Sequence, residues 1–408
     1  MQQIINKLIF SFAAAAVAFS LSAPRAQGQT EKIIYSFTGG TDGTAPSAGL
    51  AIDGSGNLYG GTEFGGTNGA GTIFELSPGS GGVWIKTVLY TFGFNTTGDV
   101  WFPTSNLVFD TKGNLYGIGP EGGAYDAGGI FELSPGSNGI WTEKVIYSFT
   151  GGTDIVSFQP YLSIDSAGNL YGYREDFLST SGTTSYGAVF QIQANANGTW
   201  VENILHTFSG GNDGSAPYDG QLTLDSAGNV YGQAYNGARD FGLVFELVRG
   251  SKGSWTEKTL HTFTGAADGS SVAPGALVID PSGNIFGTSV WNAFELVPDS
   301  NGTWTEKILH TFSGGSDGTY PESGLTPSPS GTLYGVTYEG GLHHGTVFQL
   351  SPGSNGTWTE NVLHRFTTTG GDGIYPSSPL VLDGHGNLFG STANGGISNN
   401  GVVFEVTP

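Results

Sequence analysis

The feature that most constrains this 408-residue chain is a unit that recurs seven times. A segment ending Tyr-x-Phe or His-x-Phe closes at Phe37, Phe92, Phe149, Phe208, Phe263, Phe312 and Phe366, at intervals of 49 to 59 residues. A block of the type Gly-Asn-Leu-Tyr-Gly keeps step with it, ending at Gly60, Gly117, Gly172, Gly232, Gly287, Gly335 and Gly390. A Phe-Glu-Leu block follows at Phe74, Phe131, Phe190, Phe245, Phe294, Phe348 and Phe404. Such a period marks an architecture in which each repeat is one supersecondary unit. Every unit holds four short apolar-alternating runs separated by Gly, Asn, Asp, Ser or Pro, with no helical period. In the first unit the predicted strands are about 49–53, 57–62, 72–76 and 84–92. The short connections allow only adjacent antiparallel pairing, so each unit is a four-stranded meander. One meander cannot bury both of its faces, and a ring of them is a β-propeller.

The chain ends decide between an open array and a closed ring. The last unit stops after its third strand, at about 402–406, and the missing fourth stands at the other end of the chain. Residues 30–37, TEKIIYSF, match 142–149, TEKVIYSF, almost residue for residue. The expectation is an all-β, seven-bladed propeller of four-stranded antiparallel blades, its ring closed by the N-terminal strand completing the last blade.

Residues 1–28 read as a signal peptide and 29–408 as the propeller. Lys7 precedes a short apolar stretch, 8–23, and Ala26-Gln27-Gly28 offers small residues to a signal peptidase. That stretch is too short to span a bilayer comfortably, so membrane insertion is not expected. The chain has no cysteine, and a secreted protein without disulfides must hold together by packing. Its formal charge is −21, and removing Lys7 and Arg25 with the leader takes it to −23. So acidic a surface repels nucleic acid and anionic lipid. A secreted or periplasmic monomer follows, with an extracellular glycan or protein as its expected partner.

Residues repeated in every blade read first as structure. Asp53, Asp110, Asp165, Asp225, Asp280 and Asp383 precede a Gly-Asn pair and suit a hairpin turn. Trp84, Trp141, Trp200, Trp255, Trp304 and Trp358 open outer strands and suit packing between blades. His206, His261, His310 and His364 replace Tyr on four different blades and cannot converge on one ion. No cofactor or metal site is expected on this reading. A further set, Asp42, Asp99, Asp154, Asp213, Asp268, Asp317 and Asp372, lies in the crossovers between blades. Each of these can cap its own turn, or the seven together can attract cations.

Function is then sought where the repeat is broken on the face shared by the crossovers and the second-to-third-strand loops. The candidates there are Trp101, Arg174, Glu175, Asp176, Tyr235, Arg239, Asp240, Trp291, Tyr338, Glu339, His343 and His344. Aromatic residues with a few polar groups suit a carbohydrate or another polar ligand. No nucleophile elbow, zinc motif or phosphate-binding loop appears.

The unit G-x-D-G-x-x-P…D-x-x-G-N-L-Y-G…G-T-V-F-E-L-S-P…W-T-E-K-V-L-H-T-F resembles the GloVer-repeat family of secreted bacterial proteins. That resemblance covers essentially all of the mature chain and implies tandem repeats, often followed by a surface-anchoring tail. Here 404–408, FEVTP, closes the last blade with no such tail, which favours release or the periplasm. The resemblance brings no catalytic residues with it. A non-catalytic binding protein is the leading expectation. The alternative is a secreted glycoside hydrolase or polysaccharide lyase on the same rim. A hydrolase would draw a carboxylate pair from Glu175, Asp176, Asp240 and Glu339; a lyase would use Tyr338, His343 or His344 with Arg174 or Arg239.

Overall fold

The computed structural model describes residues 30–408 except 95–96, 153, 157–159, 179–183, 216, 218–219, 236–240, 266–267, 269–274 and 322, and omits the side chains of 175–185. The signal-peptide reading lies outside the described residues.

Seven four-stranded antiparallel sheets form the ring, and the described residues contain almost no helix. Blade 1 consists of Ala51–Ile52, Leu58–Thr62, Gly69–Pro78 and Trp84–Gly93. Blade 7 combines Val381–Leu382, Leu388–Thr392 and Val402–Thr407 with Thr30–Ser36 as its outer strand. Across that junction Thr30 faces Thr407, Ile33 faces Phe404 and Ser36 faces Val402. The closure expected from the sequence is therefore present, residue by residue.

Only the innermost strand differs from expectation, since it pairs with its own sheet over two residues instead of about five. Near the axis neighbouring blades crowd together and compete for this segment. A Cβ on Gly49 would stand 3.3 Å from Pro379 of blade 7 and 3.6 Å from Asn106 of blade 2. Inner-strand hydroxyls bond to the next blade: Ser163 Oγ to the Leu222 carbonyl at 2.5 Å, Thr223 Oγ1 to Leu277 at 2.6 Å, Thr326 Oγ1 to Leu380 at 2.7 Å.

Inside each blade the core rests on one cross-strand pair. Gly60 faces Phe74 in the ladder, and the same pairing joins Gly117 to Phe131 and Gly390 to Phe404. A Cβ on Gly60 would lie 2.6 Å from Phe74 Cζ. The glycine that closes the Gly-Asn-Leu-Tyr-Gly block is thus the space a buried phenyl ring occupies. Between blades, the Trp that opens an outer strand meets the ring of the preceding blade. Trp141 stands 6.1 Å from Tyr59, Trp200 6.0 Å from Tyr116, and Trp84 5.6 Å from Phe389. The repeated tryptophans are packing elements, as their position suggested.

Both repeated aspartates close turns. Asp53 accepts from the Ser55 and Asn57 amides, the Asn57 side chain and the Tyr59 hydroxyl. Each crossover Asp accepts the backbone N–H of the residue after the conserved Phe, as Asp42 does from Thr38 at 2.8 Å and Asp317 from Ser313 at 2.9 Å.

Those crossover aspartates also meet two groups at every seam between blades. One is the Tyr or His of the same blade's outer strand, and the other is the Glu of the next blade's outer strand. At the seam between blades 1 and 2 these are Tyr90, Asp99 and Glu143. Between blades 7 and 1, Lys86 replaces the glutamate and binds Asp42 Oδ1 at 2.8 Å. Burial first, and the neighbouring Asp99 second, push Glu143 up to about 7, against a hydrogen bond from Tyr90. An acid raised on folding stabilises the protein fully below its unfolded value, and that contribution is lost as pH rises through the folded one. The stability of the native chain should therefore fall between pH 5 and pH 8. The Glu143→Gln variant should remove roughly 1–2 kcal/mol of that fall, a figure reduced for partial solvent screening. Urea midpoints measured across this range check it; a slope that the variant leaves untouched would refute it.

Candidate functional site

The crossovers and the second-to-third-strand loops do share one face, because they are hydrogen-bonded together. Val100–Trp101 pairs with Glu121–Gly122, Gly373–Ile374 pairs with Asn394–Gly395, and Thr319 bridges to Glu339. Three crossovers also bind the loop of the blade before them. The residue preceding the crossover proline donates its N–H backwards: Ala45 to the Asn400 carbonyl at 3.0 Å, Phe102 to Ala70 at 2.9 Å, Tyr375 to His344 at 2.9 Å. It accepts from its own blade: the Ala45 carbonyl from Glu63 at 3.1 Å, and the Tyr320 carbonyl from Tyr338 at 2.9 Å.

Held through its N–H, its carbonyl or, at Ala45, both, this residue adopts a left-handed backbone. The φ values are 53° at Ala45, 58° at Phe102, 57° at Tyr320 and 57° at Tyr375. An L-residue with a bulky side chain is uncommon in this region and costs about 1–2 kcal/mol there. Such strain persists only where the surroundings over-determine it, and it gathers at ligand sites. Three of these four positions carry an aromatic ring.

Those rings join the sequence candidates into a row. Trp291, 39% exposed, lies 5.1 Å from Tyr320. The Tyr320 carbonyl holds the Tyr338 amide, Tyr338 stacks on Tyr375 at 5.2 Å and 28°, and His344 meets the Tyr375 edge at 5.4 Å. The row runs from blade 5 to blade 7. A second arc crosses blades 1 and 2, where Phe102 lies 5.3 Å from Phe64 and 5.7 Å from Phe94. Trp101, half-buried, stands 5.1 Å from Phe94, and its indole Nε1 is buried without a hydrogen-bond partner. A cleft of about 420 Å³ opens there, lined by Phe94, Asp99, Trp101 and Asp126.

The remaining candidates do not all join the row. Glu339 and His343 are exposed beside it, His343 with φ 77°, and Tyr235 is exposed on blade 4. Arg174 is engaged as a tie between elements: its Nε bonds to Glu202 Oε1 at 2.8 Å, and its guanidinium lies 3.0 Å from Asp154. It fills a seam between blades 2 and 3. Arg239 and Asp240 lie outside the described residues, as do the side chains of Glu175 and Asp176. Of the four carboxylates named for a hydrolase, only Glu339 can be placed. The sequence reading passed over Tyr320 and Tyr375. Their signal was there, since both stand before a crossover proline, where other repeats have Ala45, Ala216 or Ala273. Among the described residues, those able to hold a metal lie off the row, in two seam clusters of His, Asp and Glu.

Residues 13–177 and 292–408 match the Gloeobacter/Verrucomicrobia repeat. The chain belongs to that family. Among solved structures, this Gloeobacter/Verrucomicrobia repeat protein is similar in fold to virginiamycin B lyase from Staphylococcus aureus, with a TM-score of 0.55 at 12% identity over 93% of this chain and 99% of that one. Another similar structure is a streptogramin B lyase, with a TM-score of 0.54 at 13% identity over 93% and 97% of the two chains. The extracellular domain of a hybrid two-component system from B. thetaiotaomicron gives 0.54 at 14% identity, with the match covering 93% of this chain and 42% of that one. At these identities the likeness is one of fold alone. None of the curated protein sequences matches the repeat protein. No helix among the described residues is long and apolar enough to cross a membrane.

Proposed function

We propose that this repeat protein is a secreted, non-catalytic binding protein that takes an extracellular glycan on the aromatic row of its rim. The observation that carries this reading is the row itself, Trp291–Tyr320 and Tyr338–Tyr375–His344, in which aromatic residues stand at left-handed crossover positions where Ala45 serves the fold equally well. Tyr and Trp offer a flat apolar face together with a polar edge, which suits the apolar faces and hydroxyl rims of sugar rings. A formal charge of −21 favours neutral glycans over uronate polymers.

A glycan array tests the proposal. Native protein should retain a neutral glycan, and the Trp291→Ala/Tyr375→Ala double variant should bind it about tenfold more weakly, since aromatic contacts contribute about 0.5–1.5 kcal/mol each beyond burial. Equal binding by the variant would sink the rim as the site. New reducing ends or unsaturated products from a bound glycan would replace this reading with a carbohydrate-active enzyme, in which His344 against Tyr375 is the first place to look.

A further inference from the structure

The seams between blades carry chemistry that the rim reading does not use. At four of them the outer-strand aromatic is histidine, and each histidine faces its own crossover Asp and the Glu of the following blade. His364 Nε2 lies 3.2 Å from Asp372 Oδ2, with Glu31 of the N-terminal strand beside them. His261 Nε2 lies 3.6 Å from Glu306 Oε2, with Asp268 adjacent. In both clusters one donor atom from each of the three side chains lies within 4.8 Å of the others.

Hydrogen bonding inside the protein does not satisfy these groups. Asp372 Oδ1, Glu31 Oε1, Glu306 Oε1 and His261 Nε2 are all buried without a hydrogen-bond partner. The Asp372 and Glu306 side chains are only 10% exposed. Two carboxylates and an imidazole in so small a volume repel or desolvate one another unless a proton or a cation intervenes. Native structures rarely leave such groups orphaned without a role.

One donor pair in each cluster is spaced as a tetrahedral ion requires. Zinc binds imidazole nitrogen and carboxylate oxygen at about 2.0–2.2 Å in tetrahedral geometry, which sets neighbouring donors about 3.4 Å apart. The His364–Asp372 and His261–Glu306 separations of 3.2 and 3.6 Å bracket that value, and the third donor of each cluster lies within 4.8 Å of both. A single imidazole with two carboxylates is also a ligand set that suits a borderline ion better than calcium, which requires six to eight oxygens.

We propose that His364–Asp372–Glu31 and His261–Asp268–Glu306 are structural sites for a zinc-class divalent cation, each joining two adjacent blades. The first also ties the N-terminal strand to blade 6, so it staples the ring beside its closure. In a chain with no cysteine, such ions do the work that disulfides do in other secreted proteins. At the other two histidine seams, His206–Asp213 and His310–Asp317 stand 3.5 and 3.4 Å apart, but no third donor among the described residues joins either pair within 4.8 Å. Seams with Tyr in place of His lack the nitrogen ligand.

The test uses the full-length protein, stripped with a chelator and then loaded with Zn²⁺. Metal retained after gel filtration and the melting temperature are the two readouts. The native chain should retain at least two ions and melt about 5 °C higher than the stripped protein. The Glu31→Gln/Glu306→Gln variant should retain two fewer ions, while its stripped form melts no lower than the stripped native chain. Glu143→Gln, at a Tyr seam, should retain as many ions as the native protein. Equal retention by the native chain and the double variant would overturn the proposal, as would Ca²⁺ loading these seams in preference to Zn²⁺.

Discussion

Deleting residues 30–37 should abolish cooperative unfolding of the whole ring, where trimming an ordinary tail would shift the midpoint by a degree or two. The segment supplies all six ladder partners of Val402–Thr407 on one side, and it buries Ile34 and Phe37. Phe37 lies 5.2 Å from Phe74 of blade 1, so the strand belongs to two blades at once. A buried Phe alone is worth about 3–5 kcal/mol on truncation. Its loss with an entire strand approaches the 5–15 kcal/mol that holds a typical domain together. The deletion would also expose the edge of Val402–Thr407, a template for aggregation. A rescue separates closure from composition. Because Thr30 faces Thr407, the same eight residues can follow Pro408 through a turn like 79–83, which connects Pro78 to Trp84 in blade 1. That permutant should melt as the native protein does. A deletion that melts like native, or a permutant that fails to fold, would argue against a ring closed by this strand.

The second large effect is expected at Gly60 and Phe74, and its informative part is the combination. Phe74→Ala should cost about 3–5 kcal/mol, since it leaves a cavity in a fully buried cluster with Phe37, Leu50 and Leu58. Gly60→Val should cost about 1–3 kcal/mol or more, because the added methyls meet Phe74 Cζ and Leu50. If each change acts on the same few cubic ångströms, the valine partly fills the space the phenyl ring vacates. The double variant should then be more stable than the sum of the single losses by about 1–2 kcal/mol. Chemical denaturation of the four proteins closes the cycle; strict additivity would mean that the glycine serves the backbone and not the ring.

How much of this was legible beforehand follows from which physics repeats. The turns of Asp53 and its equivalents, the Trp contacts between blades and the closing strand all recur, so spacing and composition expose them. The short inner strand was hidden because its partners belong to other blades, as Gly49 against Pro379 shows. Arg174 looked like a ligand contact because it breaks the repeat. Its partners, Asp154 and Glu202, come from a crossover and from the outer strand of its own blade, 28 residues on, and strand spacing does not report that pairing. The four histidines lie at four different seams. What the sequence concealed is that each has its own pair of carboxylates, one of them from the next blade. Tyr320 and Tyr375 went unseen because a tyrosine where other repeats have alanine gains its meaning only from the left-handed backbone at that position.

That backbone has a consequence for diversification. At Ala45, Phe102, Tyr320 and Tyr375 the residue before the crossover proline is fixed by hydrogen bonds through its N–H, its carbonyl or both, and these are indifferent to its side chain. Ala45 and Tyr375 hold the same conformation with nothing in common beyond Cβ. The rim is in effect a dial of interchangeable positions, each addressable by one codon. Exchanging residues there re-letters the surface without renegotiating the fold, so relatives built on this frame are free to differ most where they meet the outside world.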